Sequence, residues 1–398
     1  MSETPSATLQ DLLKSGGARV AEHSLNQAES DLRRALALDP RNASAWHLLG
    51  LALFKFGRWE EGVAHLRRSI ELDGNNFAAW SDLAVAHREA GRAADADAAF
   101  AQAAKAPNAA QLWNSLIPQA SRTFSTDDGF FKFKVVDYSY QAQVRYGGHR
   151  PPHPGLLALI EAHRPNYEAY LDAMGELRSV LQAIPLNGAY QDNDPFWLNT
   201  WFPPLDGMAL YTMLRHHRPA RLLEIGSGNS TKYARRAVTE GGLATRITSI
   251  DPEPRAQIDA LCDRVVRSKL EDCGAEEFAS LEAGDILFLD SSHRAFQNSD
   301  VTVFFLEILP VLKPGVIVHL HDIYLPYDYP RGHLPRLWNE QYLLATALLF
   351  GGAAFEILFP SWYIARDAAL AAKLNGLMRT GPLSGLSLHG FSFWLRKT

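Results

Sequence analysis

The chain has 398 residues, 47% of them apolar and 21% charged, with a formal net charge of -5. Such a length predicts two or three units, and mild acidity without a basic stripe excludes a nucleic-acid footprint. Two cysteines, Cys262 and Cys273, with no CxxC spacing, exclude a disulfide scaffold and a thiolate zinc site. The start, MSETPSATLQDLLKSGG, lacks a basic segment followed by an apolar core, so no secretory signal is expected. The longest apolar stretch, LLATALLFGGAAFEILF, is broken by Gly351, Gly352 and Glu356 and reads as helix, turn and strand. It does not read as a membrane span. A cytoplasmic protein with no membrane partner is the expectation.

From the N-terminus, the first signal is a repeat. Trp46 and Trp80 are 34 residues apart, and Trp113 follows 33 later. The same frame aligns Leu49 with Leu83, Gly57 with Gly91 and Pro40 with Gly74. Small residues flank a large apolar one where paired helices would touch: Ala28, Leu32 and Ala35, then Gly62, Leu66 and Ser69, then Ala96, Phe100 and Ala103. Each unit reads as helix, tight turn, helix. The pattern resembles the tetratricopeptide repeat over about residues 9 to 117. It predicts an all-α domain over 1–118 that either docks a protein or carrier or packs as a helical annex.

Residues 119–205 are expected to form a helical and aromatic linker or cap. LLALIEAHRPNYEAYLDAMGELRSVLQAI is periodic at helical spacing. Phe196, Trp197, Trp201 and Phe202 precede a helix beginning near Pro204. This cluster is either a substrate wall or core between cap and domain.

Beyond Ala220, strands and helices alternate, which predicts a parallel sheet with crossover helices over 206–398. RLLEIG, TRITSID, DRVVR, GDILFLD and GVIVHLHD read as five strands, and VTVFFLEILPVL as a helix before the last. Ligands of such sheets sit outside the carboxyl ends of the strands. Those ends carry Glu224, Gly226, Ser227 and Gly228, then Asp251, then Asp290, then His321 and Asp322. Glycines let the backbone approach a ligand. Asp251 can accept both hydroxyls of a ribose, and Glu271 or Asp272 can meet an adenine amino group. Thr231 stands where a dinucleotide fingerprint wants a third glycine, which counts against NAD.

The acid two residues before the first glycine, with carboxylates ending the second and fourth strands, resembles the class I S-adenosylmethionine-dependent methyltransferases. The resemblance implies an α/β, doubly wound, Rossmann-like sheet of seven strands. FEILFP would be the sixth and FSFWLRK an antiparallel seventh. It also implies that Gly226 and Gly228 lie against the amino-acid part of S-adenosylmethionine, that Asp251 grips the ribose, and that Glu224 is the acid of the first motif. DPFWLNTWFPPLDGMALY, EIGSGNSTKYARRA, DILFLDSSH and LKPGVIVHLHDIYLPYDYP resemble a bacterial subfamily met near glycan and secondary-metabolite genes.

The stretch VIVHLHDIYLP poses the chemical question, because an apolar strand ends in His319, His321 and Asp322. Side chains alternate along a strand, so His319 lies one pleat further in and reads as structural. His321 and Asp322 leave the sheet beside Asp290, and His293 follows Asp290 in DSSH. Two readings stay open. His293 or His321 is a general base for an acceptor hydroxyl, or Asp290, His321 and Asp322 hold a divalent metal. Sugar and catechol O-methyltransferases, which the sequence resembles, place oxygen ligands there. The imidazole of His321 departs from that pattern and suits manganese, iron or zinc better than magnesium.

The expected activity is O-methylation of a sugar or natural product, free or delivered on a protein carrier. An iron-dependent oxygenase using the same cluster, or a non-catalytic repeat scaffold, are the rivals.

Overall fold

The structure is a computed structural model that describes residues 8–21, 24–90, 92–103, 105–106, 143–148, 150–199, 201–254 and 256–398. The expectations placed on Trp113 and Gly91 lie outside the described residues. Two compact units divide the chain: residues up to Arg150 with Pro330–Leu334, and Pro151–Tyr329 with Pro335–Thr398.

Among the described residues the regular elements of the first unit are all helical. Its helices are α1 (Leu9–Ala21), α2 (Leu25–Leu38), α3 (Ala43–Lys55), α4 (Trp59–Leu72), α5 (Phe77–Glu89) and α6 (Ala93–Ala103). They pack chiefly as successive pairs, α1 on α2, α3 on α4 and α5 on α6. The 34-residue frame has a hydrogen-bond basis. The Trp46 indole donates to the Pro40 carbonyl and the Trp80 indole to the Gly74 carbonyl, each at 2.9 Å. Asn42 and Asn76 cap α3 and α5 in the same register, accepting from Ala45 N at 2.9 Å and Ala79 N at 3.0 Å. Gly57 turns α3 into α4 with φ 79°. A Cβ at Gly62 would lie 2.8 Å from Phe54 N, so the pair packs this closely only around glycine. Between the helices Arg58 is buried against Glu29 and Glu61.

The second unit is built on a seven-stranded sheet: β1 (Arg221–Ile225), β2 (Arg246–Ile250), β3 (Arg264–Val266), β4 (Ile286–Leu289), β5 (Ile317–Leu320), β6 (Phe355–Pro360) and β7 (Phe393–Lys397). The order is β3-β2-β1-β4-β5-β7-β6. β1 to β5 are parallel, while β7 runs antiparallel to both β5 and β6. The sheet is therefore mixed rather than strictly Rossmann. β4 and β5 are buried at every position, which explains their unbroken apolar sequences.

Two helical expectations change in detail. The periodic segment after Pro154 is three helices, Pro154–Ala162, Arg164–Glu176 and Arg178–Gln182. Pro165 can occupy only a first helical turn, so a new helix starts beside it. VTVFFLEILPVL is interrupted by a π turn over Phe304–Ile308. Pro310 has no N–H for the carbonyl four residues back, and the helix widens just before it. Among the described residues no helix is long and apolar enough to cross a membrane.

Candidate functional site

The carboxyl ends of β1, β2, β4 and β5 converge on one region of the second unit. The turn after β1 is shaped by its acids and hydroxyls. Gly226 has φ 75°, and a Cβ there would fall 1.8 Å from the Asp290 carbonyl oxygen. Only glycine lets β1 and β4 leave the sheet side by side. Glu224, buried, accepts from Ser230 Oγ and Thr231 Oγ1, both at 2.5 Å. Burial raises its pKa to about 7 against those two bonds. Its carboxylate thus holds the turn to the helix Asn229–Glu240 that follows.

Asp251, after β2, accepts from Ser227 N and from Glu253 N, each at 2.8 Å, one on each oxygen. Ser227 Oγ meets Ser249 Oγ at 2.7 Å. A Cβ at Gly228 would meet nothing within 4 Å, so the backbone there faces open space. That space is a pocket lined by Tyr190, Trp201, Phe202, Gly228, Asn229 and Asp290, among others. Glu271, half-buried, stands in the 3-10 turn Leu270–Asp272 after β3.

The aromatic cluster is divided. Phe196 and Trp197 are core, Phe202 is buried but borders the pocket, and Trp201 is 40% and Tyr190 36% exposed there. Asn199, which sequence reasoning passed over, organises this segment. Its amide donates to the Phe196 and Phe202 carbonyls at 2.9 Å, and its Oδ1 accepts from Phe202 N at 2.7 Å and from Asn229 Nδ2 at 3.1 Å. Lys232, buried in the helix after the glycine turn, donates to the Tyr190 carbonyl at 2.8 Å.

His319 and His321 differ as the pleat implies. His319 stacks on Phe288 with centroids 3.7 Å apart and bonds Ser392 Oγ at 2.8 Å. Burial pushes its pKa well below the ordinary histidine value, so it is neutral. His321 turns Nε2 to Asp206 Oδ2 at 3.2 Å, while Nδ1 lies 3.7 Å from Asp290 and 3.8 Å from Asp322. Burial opposes its charge, but Asp290, Asp322 and Asp206 outweigh that and raise its pKa well above the ordinary value.

His293 has Nε2 at 3.4 Å from both Asp290 Oδ1 and Asp322 Oδ2, and Nδ1 at 2.9 Å from Glu340 Oε2. Burial lowers its pKa, yet the bonds to Asp290 and Glu340 and the charge of Asp322 lift it to about 10. Asp290 is held well below the carboxylate range, since His321 and His293 overcome its desolvation. Asp322 Oδ1 and Glu340 Oε1 are buried without a hydrogen-bond partner.

The trio expected to bind metal was Asp290, His321 and Asp322. The donors that converge within 4.8 Å of one another belong to Asp290, His293 and Asp322, whereas His321 is drawn to Asp206. N and O donors about 2.1 Å from one small divalent ion lie roughly 3 to 3.4 Å apart, and His293 Nε2 stands at 3.4 Å from both Asp290 Oδ1 and Asp322 Oδ2. Asp206 and Glu340 were missed. Each is a carboxylate in a largely apolar helix segment, PPLDGMALY and NEQYLLATALL, and that mismatch was the available signal.

Residues 223–323 match the family described as a methyltransferase domain, and residues 10–77 and 47–111 match tetratricopeptide repeats. No curated protein matches the chain. Among solved structures it is similar to a crystal structure of MamA, at 24% identity and TM-score 0.24, over 25% of this chain and 57% of that one. MamA 41-end from Desulfovibrio magneticus RS-1 matches at 20% identity and TM-score 0.23, over 28% and 59% of the two chains. A Thermobaculum terrenum O-GlcNAc transferase mutant matches at 16% identity and TM-score 0.24, over 73% and 47%. The chain thus spans less than two thirds of the length of these structures.

Proposed function

We propose that this chain, with a methyltransferase domain behind tetratricopeptide repeats, methylates a hydroxyl of a sugar or natural product using S-adenosylmethionine. The observation that carries this reading is the turn after β1. Its backbone is open at Gly228, bounded by Asp251 on one strand end and Asp290 on another. Gly226, Ser227 and Gly228 would hold the amino-acid part of the cofactor. Asp251 keeps lone pairs on both oxygens for ribose hydroxyls after its two backbone bonds, and Glu271 would face the adenine. Glu224 shapes the turn from beneath. S-adenosylmethionine supplies an electrophilic methyl group.

The acceptor oxygen must shed a proton as it attacks. His293 Nε2, shared between Asp290 and Asp322, is the group that would take it. A pKa near 10 keeps the ring protonated at neutral pH. A positive charge brought beside Asp290 would lower that value towards the range a general base needs. His321, enclosed by Asp206, would act by keeping Asp290 ionised. Trp201 and Tyr190 would wall the acceptor, and much of the rate would come from alignment.

A second reading is favoured by the converging donors. Asp290, His293 and Asp322 would hold a divalent ion, which would lower the pKa of an adjacent hydroxyl. Two carboxylates and an imidazole suit manganese, iron or zinc. The oxygenase and scaffold rivals find no support in the family matches. In this account the repeats bind a partner protein or an acceptor carrier, and the protein works in the cytoplasm.

The test is transfer of labelled methyl from S-adenosylmethionine to a panel of glycosides and phenols, before and after chelation. We expect labelled hydroxyl product and a loss on the order of 100-fold in His293→Ala. Chelation that abolishes transfer, restored by manganese, selects the metal reading. Label on amines alone would overturn O-methylation.

A further inference from the structure

We infer that Glu340 is a positioning residue that fixes the His293 ring so that Nε2 faces Asp290 and Asp322. The inference rests on the reading of that cluster as the place where the acceptor is activated. Glu340 opens the helix Glu340–Phe350 and is fully enclosed. Its Oε2 lies 2.9 Å from His293 Nδ1, while Oε1 has no partner. A buried carboxylate left half-satisfied is expensive, and a helix start needs only a small capping group. The burial is explained if the contact with the ring is what the carboxylate is for.

The surroundings fix the histidine from the backbone as well. Asn339 N and Glu340 N both donate to the His293 carbonyl, at 2.9 and 3.3 Å. Ala295 N donates to Asn339 Oδ1 at 2.5 Å. The segment carrying His293 is thus tied to the start of the helix at the His293 carbonyl and again two residues later at Ala295. His293 has φ 60°, a left-handed conformation that a non-glycine residue seldom adopts. Asp322, facing the same ring nitrogen, has φ 55°. Backbone strain of this kind persists where surrounding bonds over-determine it, and it gathers at functional sites.

The chemical consequence concerns which ring atom is presented. With Nδ1 committed to Glu340, Nε2 is the nitrogen left for the two aspartates and for whatever enters between them. Without that tie, a half-turn of the ring would put carbon where Nε2 now stands. Either activation chemistry needs nitrogen there, so Glu340 serves the site through His293 and does not touch the acceptor.

The test uses the full chain with 15N-labelled histidine, in long-range proton–nitrogen spectra of the parent, Glu340→Gln and Glu340→Ala, with His293→Ala locating the signals. We expect a protected Nδ1 proton on His293 in the parent. It should be shifted but kept in Glu340→Gln, whose amide oxygen still accepts, and lost in Glu340→Ala. In the methyl-transfer assay, Glu340→Ala should lower kcat on the order of 10- to 100-fold with the KM for S-adenosylmethionine unchanged, and Glu340→Gln should recover part. Unchanged His293 ring signals in Glu340→Ala overturn the proposal. Should that variant fail to fold, Glu340→Gln decides alone, because loss of the charge must move the Nδ1 resonance. Full transfer by His293→Ala would instead sink the reading of the cluster, and leave the spectra to judge Glu340.

Discussion

Charge is buried in both compact units, on opposite terms. Among the repeats, Arg58 is 3% exposed and bonds Glu61 through two nitrogens, at 2.8 and 2.6 Å, and Glu29 through a third at 2.7 Å. Arg33 completes Glu29 at 2.8 Å. Every contact is short, and the fork of the guanidinium matches the carboxylates. At the sheet, His293 stands 3.4 Å from two aspartates, and Asp322 Oδ1 and Glu340 Oε1 have no hydrogen-bond partner. The first cluster is closed and locks helices together. The second is open, with capacity for a proton, an ion or an acceptor. Buried charge by itself does not mark a site; unspent bonding capacity beside a pocket does.

The largest test of this contrast is Arg58→Met, which leaves Glu29 without its buried cation. We expect a loss of about 3–5 kcal/mol in the unfolding of the repeat unit by urea, with S-adenosylmethionine binding unchanged. A loss below about 1 kcal/mol would show that the closed cluster holds nothing.

A smaller effect concerns His65, whose pKa is lowered to about 4, first by burial and then by Arg33. Unfolding restores the ordinary value near 6.5, so the unfolded chain binds more protons between those limits. This contribution to stability is complete above pH 6.5 and is lost as pH falls towards 4, about 3 kcal/mol. His65→Phe should flatten that slope in urea midpoints, and parallel slopes would contradict the assignment.

The smallest effect is expected at the open cluster. Asp322→Asn should change stability by less than about 1 kcal/mol, because it relieves crowded carboxylates, while methyl transfer is lost. A penalty as large as that of Arg58→Met would erase the distinction.

Sequence pattern sufficed for much of the fold. The strands were readable because apolar runs such as ILFL end in turn residues and acids, and the repeat because Trp46 and Trp80 recur with their caps. The breaks at Pro165 and before Pro310 were visible as prolines, but their forms depend on which carbonyl loses its donor. The glycine turn and the strand-end acids were also legible. Asp206 and Glu340 were not, because their partners lie 115 and 47 residues away in sequence. Only packing pairs Asp206 with His321 and Glu340 with His293, and so decides that the converging donors include His293. Likewise, no periodicity separates the pocket residue Trp201 from the core residue Trp197, four positions earlier.

The central claim is that the turn after β1 and Asp251 together bind S-adenosylmethionine. Calorimetric titration of the full chain, beside Asp251→Ala and with NAD as a control ligand, tests it most directly. The account predicts micromolar binding of S-adenosylmethionine, lost in Asp251→Ala, and no heat from NAD. Folded protein that takes up no S-adenosylmethionine, or binds it equally well without Asp251, would contradict it.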